Sequence, residues 1–225
     1  TPFSSIRQMV NYPPFEILKA KVGTQKMIPS IYVCSSAIPH FIHVLFPHIN
    51  FKFILVSGDC DESIPEDIFN PALGIFNKFI SDGRIVHWFC QNLITSHPKI
   101  TRIPIALDYH TMTQRQIWGP ISSCADQERI LRAIVDGAVP FYERKARIYS
   151  NFHFSMNTKY AQDRHKARRH INAELIDYES KPVHRIATWK RQSEYAFIAS
   201  PHGGGLDCHR TWEALVLGCI VIVQT

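Results

Sequence analysis

The chain has 225 residues, of which 45% are hydrophobic and 20% are charged, and its formal net charge is +6 at pH 7. This composition is typical of a soluble globular protein and excludes a wholly disordered chain. The longest apolar run, from Ala214 to Val223, is interrupted by Gly218 and is shorter than the roughly 20 residues of a membrane-spanning helix, so no transmembrane segment is predicted.

The first half of the chain alternates apolar strands with helical or loop segments. Four short β-rich runs follow one another at similar intervals: residues 30–36, 51–59, 83–92 and 100–107. Between the second and third runs, residues 65–81 predict a helix that breaks or starts near Pro71. Near-continuous apolar strands separated by connecting segments predict a parallel sheet that is covered on both faces.

A second series of elements begins after residue 112. Residues 122–137 predict a helix that begins at Ser/Asp capping residues and ends at Gly137. The chain then continues as a strand, a basic helix, a short helix, a strand, a glycine-rich loop, a helix and a final strand. We therefore predict an α/β fold with two Rossmann-like domains, residues 1–125 and 126–225, whose parallel sheets face a cleft.

Positive charge is concentrated in one region, residues 142–191, which we call the basic band. It contains 12 Lys and Arg against 5 Asp and Glu, a local charge of +7. Such a band attracts phosphate-bearing partners and is compatible with a non-catalytic module that binds a polyanion. The alternative is the solvated face of an amphipathic helix, since residues 161–178 have helical spacing with charges on one side. No nucleic-acid-binding motif is present, so nucleic acid is not a predicted partner.

The six cysteines occur singly and form no C-x-x-C pair. In a chain of this length they predict reduced, mostly buried thiols rather than a disulfide framework. Cys208, His209 and His202 lie close in sequence, but their spacing fits no metal-site pattern, so no metal is predicted there. Together with the lack of an export signal, these features predict a cytoplasmic protein.

The glycine-rich loop, residues 201–208 (PHGGGLDC), lies between a predicted strand and a predicted helix. Loops at the carboxyl ends of strands bind ligands in open α/β sheets, and glycines let the backbone approach a ligand closely. The free N–H groups of the following helix favour an anion. Arg210 in its first turn is predicted to contact a diphosphate, and Glu213, one turn further on, the hydroxyls of a ribose. The alternatives are a simple tight turn and an intrahelical Arg–Glu pair.

Residues 197–223 (FIASPHGGGLDCHRTWEALVLGCIVIV) resemble the donor-site segment of exostosin-like glycosyltransferases. That family pattern has a strand, a Ser/Pro-x-Gly loop, an Arg and a Glu-Ala-Leu on a helix, then Gly-Cys-Ile and a final strand. Residues 53–65 and 96–111 also resemble the amino-terminal half of short members of the group. The chain departs from the pattern at Val221, where the family commonly has Pro.

The resemblance implies a GT-B architecture, in which the carboxyl-side domain holds a nucleotide-sugar donor and the amino-side domain holds the acceptor. It implies that Arg210 contacts the diphosphate, that Glu213 contacts the ribose, and that the backbone of His202, Gly203, Gly204 and Gly205 cradles the phosphates. Asn151 and Asn157 flank the end of a strand and are predicted to add polar donor contacts or to cap a loop.

The implied activity is transfer of a sugar from a UDP-sugar, with UDP-xylose as the first candidate, to a hydroxyl of a glycan or glycoprotein glycan. Inversion at the anomeric carbon, with no cofactor or metal, is expected. Family members of eukaryotic cells usually work in the Golgi lumen, which is the expected compartment if an N-terminal anchor has been trimmed from this chain.

A carboxylate pair, Asp59 and Asp61, follows the second predicted strand as D-x-D and leaves three interpretations open. In GT-A glycosyltransferases such a pair chelates a divalent metal that neutralises the donor diphosphate, which would make the enzyme dependent on Mn²⁺ or Mg²⁺. In a GT-B enzyme either carboxylate is a candidate general base. The third possibility is that both residues only cap a turn. Other candidate bases are His40, His87, His97 and His110.

Overall fold

The structure, a computed structural model, describes residues 28–224. The chain divides into two compact units, Thr1–Pro104 and Ile105–Thr225, which we call the first and second units. Within residues 28–224, no helix combines the length and the apolar character that crossing a membrane requires. None of the six cysteines is in a disulfide, as the sequence predicts, but the expectation that they are mostly buried is wrong, since only Cys90 and Cys219 are buried and Cys124 is exposed.

The first unit contains a parallel four-stranded sheet with the strand order β1-β2-β3-β4. Its strands are β1 (Ser30–Cys34), β2 (Phe53–Gly58), β3 (Ile85–Cys90) and β4 (Ile100–Arg102). Its α-helices are α1 (Ile38–His40) and α2 (Ile75–Ser81). Around them lie 3-10 turns at Ser35–Ala37, Phe46–His48 and Pro71–Leu73 and a π-helical turn at Phe41–Leu45.

The helical segments of residues 28–104 pack on one face of this sheet. Phe41 and Phe79 join the cluster of Phe53 and Trp88 with edge-on ring contacts, and Trp88 Nε1 donates to Ser57 Oγ at 2.9 Å. Because each strand lies beside its sequence neighbour in the same direction, right-handed connections fall on the same side. The sequence predicted cover on both faces, and these connections supply only one.

The second unit contains a second parallel four-stranded sheet, with the order β6-β5-β7-β8. Its strands are β5 (Lys145–Ser150), β6 (Ile176–Tyr178), β7 (Tyr195–Ala199) and β8 (Ile220–Ile222). Its α-helices are α3 (Thr111–Gln114), α4 (Cys124–Asp136), α5 (Ala161–His170), α6 (Arg185–Gln192) and α7 (His209–Val216). Short 3-10 turns occur at Phe141–Glu143, Phe152–Phe154 and Ala173–Leu175.

The helices of the second unit cover both faces of its sheet. Ala167 of α5 packs with Ile148 and Phe152 on one face, whereas Trp189 of α6 and Ala214 of α7 belong to the core on the other. The chain moves from β5 to β6 in one direction and from β7 to β8 in the opposite direction. The topological switch point of the sheet therefore lies between the carboxyl ends of β5 and β7.

The two compact units meet earlier in the chain than the predicted domain boundary at 125/126. The backbone N–H of Ile105 donates to Asp207 Oδ2 at 2.7 Å, and Gln127 Nε2 donates to the carbonyl of Tyr109 at 2.7 Å. These bonds attach the segment after residue 104 to the second unit. Linear sequence patterns do not reveal such attachments, because both partners of each bond are far apart in the chain.

Most predicted elements are present, with shorter bounds. The helix of residues 122–137 is confirmed as α4, whose N-cap Ser123 accepts from the N–H of Asp126 at 3.0 Å. The helix of residues 65–81 is reduced to a 3-10 turn at Pro71 and α2. The basic helix predicted for residues 161–178 ends at His170 in the structure. Ile176 is instead the buried first residue of β6.

Candidate functional site

The switch point of the second unit is bordered by Asn151, which follows β5, and by the glycine-rich loop, which follows β7. The loop leads directly into α7, whose N-cap Cys208 makes no side-chain capping bond. The side chain of Cys208 therefore accepts from none of the first N–H groups of α7. Crevices of this kind bind ligands in open α/β sheets, and uncapped helix N-termini favour anions.

The side chain of Arg210 contacts residues on both sides of the switch point. Its Nε donates to Asn151 Oδ1 at 3.2 Å, and one of its terminal nitrogens, Nη1, lies 3.4 Å from the carbonyl oxygen of Pro201 and 3.5 Å from Ser200 Oγ. All of these acceptors are uncharged. The structure thus brings together Arg210 and Asn151, two of the residues that the sequence predicts for the donor site.

A second guanidinium, that of Arg164, lies beneath the glycine-rich loop. Arg164 belongs to α5 and is 6% exposed, although the rest of that helix is largely solvated. Its Nε donates to the carbonyl of His202 at 2.9 Å, and Nη1 donates to the carbonyls of Phe152, at 3.3 Å, and Ser155. These acceptors hold the side chain in place without neutralising its charge.

The two guanidinium groups carry charge that no carboxylate in residues 28–224 balances by an ion pair. Burial lowers the pKa of Arg164, and the nearby positive charge of Arg210 lowers it further. Burial also lowers the pKa of Arg210. Both groups are cationic at neutral pH, because arginine side chains keep their proton in proteins. The site is therefore a partly desolvated concentration of positive charge, which an anion would stabilise.

The backbone of the glycine-rich loop turns its carbonyl oxygens toward these donors. The carbonyl groups of Pro201, His202 and Gly203 accept from Arg210, Arg164 and the N–H of Tyr160, respectively. The N–H groups of Gly204 and Gly205, by contrast, make no hydrogen bond to any residue of 28–224. Gly204 is partly exposed and Gly205 is buried.

Gly203 is required by a close approach of side chains. A Cβ atom at this position would lie 2.8 Å from Nη2 of Arg164 and 3.2 Å from Sγ of Cys208. Any larger residue would displace the guanidinium or the thiol. Close packing therefore explains why position 203, one of the three glycine positions in the loop, is occupied by glycine.

Glu213 is buried, at 7% exposure, and lies on α7 one turn after Arg210. Its Oε1 is 3.3 Å from Nε of Arg185, so one carboxylate oxygen is held by an ion pair. No ion pair joins Glu213 to Arg210 within the described residues, and the intrahelical pair considered from the sequence is therefore not formed.

Asn157 is exposed on the segment before α5, and its side chain makes no hydrogen bond to a residue of the described range. The structure gives no contact that joins it to Arg210 or to the glycine-rich loop. Its predicted role as a donor contact stays a prediction.

Asp59 and Asp61 lie in the first unit, exposed just after β2. Asp59 has φ +62°, a left-handed conformation, and its N–H donates to Gln91 Oε1 at 3.0 Å. Neither residue is the N-cap of a described helix, since the next helical turn begins at Pro71 and is capped by Asn70. Residues 59–61 form a bend, and all three interpretations of the pair, as metal ligands, as a general base or as caps of a turn, stay predictions.

No group of three or more His, Cys, Asp or Glu side chains in residues 28–224 is arranged to hold a metal ion. Two of the alternative bases already have side-chain partners. His87 Nε2 lies 2.8 Å from Thr101 Oγ1, and His110 Nδ1 lies 2.8 Å from Asp108 Oδ1.

Much of the basic band is paired within the second unit. The pairs are Lys145 with Glu194, Arg147 with Asp177 and Arg191 with Glu179. The charged residues of α5 other than Asp163 and Arg164 are exposed, which confirms the interpretation of this helix as a solvated basic face. Arg164 is the exception.

Arg164 is also the functional candidate that sequence reasoning missed. It lies three residues before Ala167, on the same side of α5, and seven residues before Ile171, the C-cap of that helix. Ala167 and Ile171 pack in the core, and this helical spacing is the signal that would have marked Arg164 as an inward-facing charge.

Comparisons with known proteins give little further constraint. No protein-family model matches the chain, and no curated protein matches it. Among solved structures, a crystal structure of an alpha1,3-fucosyltransferase is similar with a TM-score of 0.39 and 13% sequence identity, over 89% of this chain and 69% of that one. A likeness at this level carries no argument about fold or activity.

Proposed function

We propose that this chain is a glycosyltransferase whose second unit binds a nucleotide diphosphate sugar at the switch point. The observation that carries the proposal is the pair of guanidinium groups, Arg164 and Arg210, that no described carboxylate neutralises by an ion pair. A diphosphate would supply the missing negative charge through strong, charge-assisted hydrogen bonds. The free N–H groups of Gly204 and Gly205 and the uncapped start of α7 support the same ligand chemistry.

Two further side chains are proposed to contact the donor. Asn151 holds Arg210 and offers its amide to the donor. Glu213, whose Oε1 pairs with Arg185, is proposed to accept from ribose hydroxyls, as acidic residues do in dinucleotide-binding folds. The phosphates, rather than the sugar, dominate this set of contacts, since most of its donors are cationic or backbone groups.

The finer assignment follows the resemblance of residues 197–223 to exostosin-like glycosyltransferases. On that basis the chain has GT-B architecture and uses a UDP-sugar, with UDP-xylose as the first donor to try, and a hydroxyl of a glycan or glycoprotein glycan as acceptor. The acceptor oxygen forms a bond to the anomeric carbon while the bond from that carbon to the β-phosphate oxygen breaks. The electron pair of the broken bond leaves with UDP, and the configuration inverts. Asp59 or Asp61 takes the proton of the acceptor hydroxyl.

A metal is not required in this proposal, because the positive charge that stabilises the leaving diphosphate comes from the protein. Electrostatic stabilisation by preorganised donors is a major source of catalysis wherever negative charge develops. In the competing GT-A proposal, Asp59 and Asp61 hold Mn²⁺. Donor binding would then require the metal.

The proposal is tested by calorimetric titration of the chain with UDP in the presence of EDTA. We expect binding, and we expect Arg210→Ala to weaken it about tenfold to a hundredfold, because charge-assisted hydrogen bonds to the diphosphate are lost. Arg169→Ala is the matched control, since Arg169 is an exposed arginine of α5. It removes the same charge without touching the site and should leave the affinity unchanged.

Two results would contradict the proposal. The first is an absence of UDP binding at millimolar concentrations, and the second is an equal loss of affinity in Arg210→Ala and Arg169→Ala. Binding that requires Mn²⁺ and is lost in Asp59→Asn and Asp61→Asn would instead support the GT-A alternative.

A further inference from the structure

A cavity of about 280 Å³ lies between α5 and the carboxyl ends of β7 and β8, on one face of the second sheet. Ala167 of α5 and Ile171, the C-cap of that helix, form one wall. Ala199 of β7 and Ile222 of β8, which are partners in the strand register, form the other. We call this space the α5 cavity.

The lining of the α5 cavity is mainly apolar. Ala167, Ile171, Ala199 and Ile222 all belong to or pack against the hydrophobic cluster on this face of the sheet. Protein interiors are normally close-packed, so an unfilled apolar space forfeits dispersion contacts along its walls. Apolar cavities of this kind stay dry and bind apolar groups. The α5 cavity is therefore suited to a hydrocarbon group.

The charged side chains that line the cavity all come from α5. They are Asp163, Lys166 and His170, whereas the described residues of the opposite wall contribute no charge. The carboxylate of Asp163 is hydrogen-bonded to His202 Nδ1 and lies 3.9 Å from Lys166 Nζ. Lys166 is half-exposed, and α5 as a whole has four Lys and Arg against this one carboxylate. The charge beside the cavity therefore favours an anionic group on the α5 side.

We propose that the α5 cavity binds a single-chain amphiphile, a fatty acid, with its hydrocarbon chain among Ala167, Ala199 and Ile222 and its carboxylate at Lys166. An apolar body with one anionic end matches an apolar lining with cations on one side. A peptide fits less well, because the apolar walls offer few partners for its N–H and C=O groups. This site is separate from the two guanidinium groups of the phosphate site and does not rest on the proposed function.

Calorimetric titration of the whole chain with octanoate at neutral pH tests the proposal, with octanol and octylammonium as probes of the same chain length. We expect octanoate to bind most tightly, octanol about twofold to fivefold more weakly and octylammonium more weakly still, because only the carboxylate is attracted to a half-exposed cation. Hexanoate should bind about tenfold more weakly than octanoate, since two fewer methylene groups are buried.

Ala167→Leu tests the location of the chain, because the larger side chain fills the cavity from α5. We expect it to weaken octanoate binding at least tenfold. Ala133→Leu is the matched control, since Ala133 is exposed on α4, and it should leave the affinity unchanged. Thermal unfolding without ligand checks the fold of each variant. Should Ala167→Leu not fold, Val223→Phe fills the same cavity from its exposed edge and should weaken binding in the same way.

Lys166→Gln tests the position of the carboxylate. We expect octanoate to bind this variant about twofold to fivefold more weakly than the wild type, whereas the affinity for octanol stays the same. Arg169→Gln is the control, since Arg169 is an exposed cation of α5 that does not line the cavity, and it should bind both probes as the wild type does.

Four results would overturn the inference. The first is no octanoate binding at millimolar concentrations. The second is equal or tighter binding of octanol or octylammonium, which would show that the cations do not select an anion. The third is displacement of octanoate by inorganic pyrophosphate, which would place the carboxylate at the phosphate site. The fourth is concentration-dependent dimerisation that Ala167→Leu abolishes, which would assign this face to a second copy of the chain.

Discussion

The chemistry of the proposed site depends on two single residues, Arg164 and Arg210. The sequence identifies one of them, and only the structure identifies the other. Arg210 could be predicted from the sequence, because it follows a glycine-rich loop in the first turn of a helix. Arg164 lies in a run of charges that reads as a solvated surface. Its importance depends on the loop that packs over it from a segment nearly forty residues away, as its bond to the carbonyl of His202 makes clear.

Gly203 gives a prediction at this scale. We expect Gly203→Ala to lower the free energy of unfolding by about 1–3 kcal/mol, because the new methyl group displaces the guanidinium of Arg164 from its buried carbonyl acceptors. Unfolding in urea measures the change. Gly83→Ala is the control, since a Cβ atom at Gly83 would meet no atom within 4 Å.

The same substitution in an Arg164→Ala background gives a double-mutant cycle. Gly203→Ala should cost clearly less there, because the atom that it meets is absent. An unchanged cost would mean that the glycine is required for another reason, such as the neighbouring thiol of Cys208.

Elements are predicted well where local patterns and tertiary packing agree. The strands of both units except β6 were recognised as apolar runs, and α4 was recognised by its capping residues. The ends of α2, α5 and β4 were not predictable, because tertiary contacts set them. Residues 171–178 have helical spacing, yet Ile176 contributes more as a buried strand residue beside Ile148 than it would on a solvated helix.

The N-terminus of α4 offers a prediction at the level of an element. Ser123 Oγ accepts from the N–H of Asp126 at 3.0 Å and donates to its carboxylate at 2.7 Å. Ser123→Ala should therefore destabilise the chain by about 1 kcal/mol, which corresponds to a decrease of about 2–4 °C in melting temperature. Ser122→Ala is the neighbouring control. Equal effects of the two substitutions on thermal unfolding would contradict the capping role.

For the molecule as a whole, the sequence predicted two parallel α/β sheets but not the position at which the chain passes from one packed unit to the next. A buried cluster explains the difference. Arg185 lies between Asp108 and Glu213 and stacks 4.1 Å from the ring centroid of Trp118. Asp108 and Trp118 precede the predicted boundary at 125/126, yet both contact Arg185 of the second unit, Asp108 as a buried carboxylate and Trp118 as a partly exposed ring. The hydrophobic periodicity of the sequence does not predict an ion-pair cluster of this kind.

This cluster predicts how stability depends on pH. Burial alone would raise the pKa of Asp108, but hydrogen bonds from Thr111 and the charges of Arg185 and His110 hold it below its usual value. A carboxyl group with a lowered pKa stabilises the fold above its unfolded pKa of about 3.9, and this contribution is lost as the pH falls through the folded value.

We therefore expect Arg185→Met to lower the free energy of unfolding by about 3–5 kcal/mol at pH 7, because buried carboxylates are left without their cation. The difference from the wild type should narrow as the pH approaches about 4, where Asp108 of the variant takes up a proton and no longer needs a partner. Urea unfolding at several pH values measures the difference, and Arg169→Met is the exposed control. A penalty that does not change with pH would show that lost packing against Trp118, rather than charge, is responsible.

The switch point of the second sheet has one more consequence. Arg164 comes from α5 on one face of that sheet, and Arg210 comes from α7 on the other. A single anion that binds both guanidinium groups would link the helix on one face of the sheet to the helix on the other face. Binding at this one site would then stabilise the hydrophobic cores on both faces of the sheet. Both cores would lose that stabilisation when the leaving group dissociates.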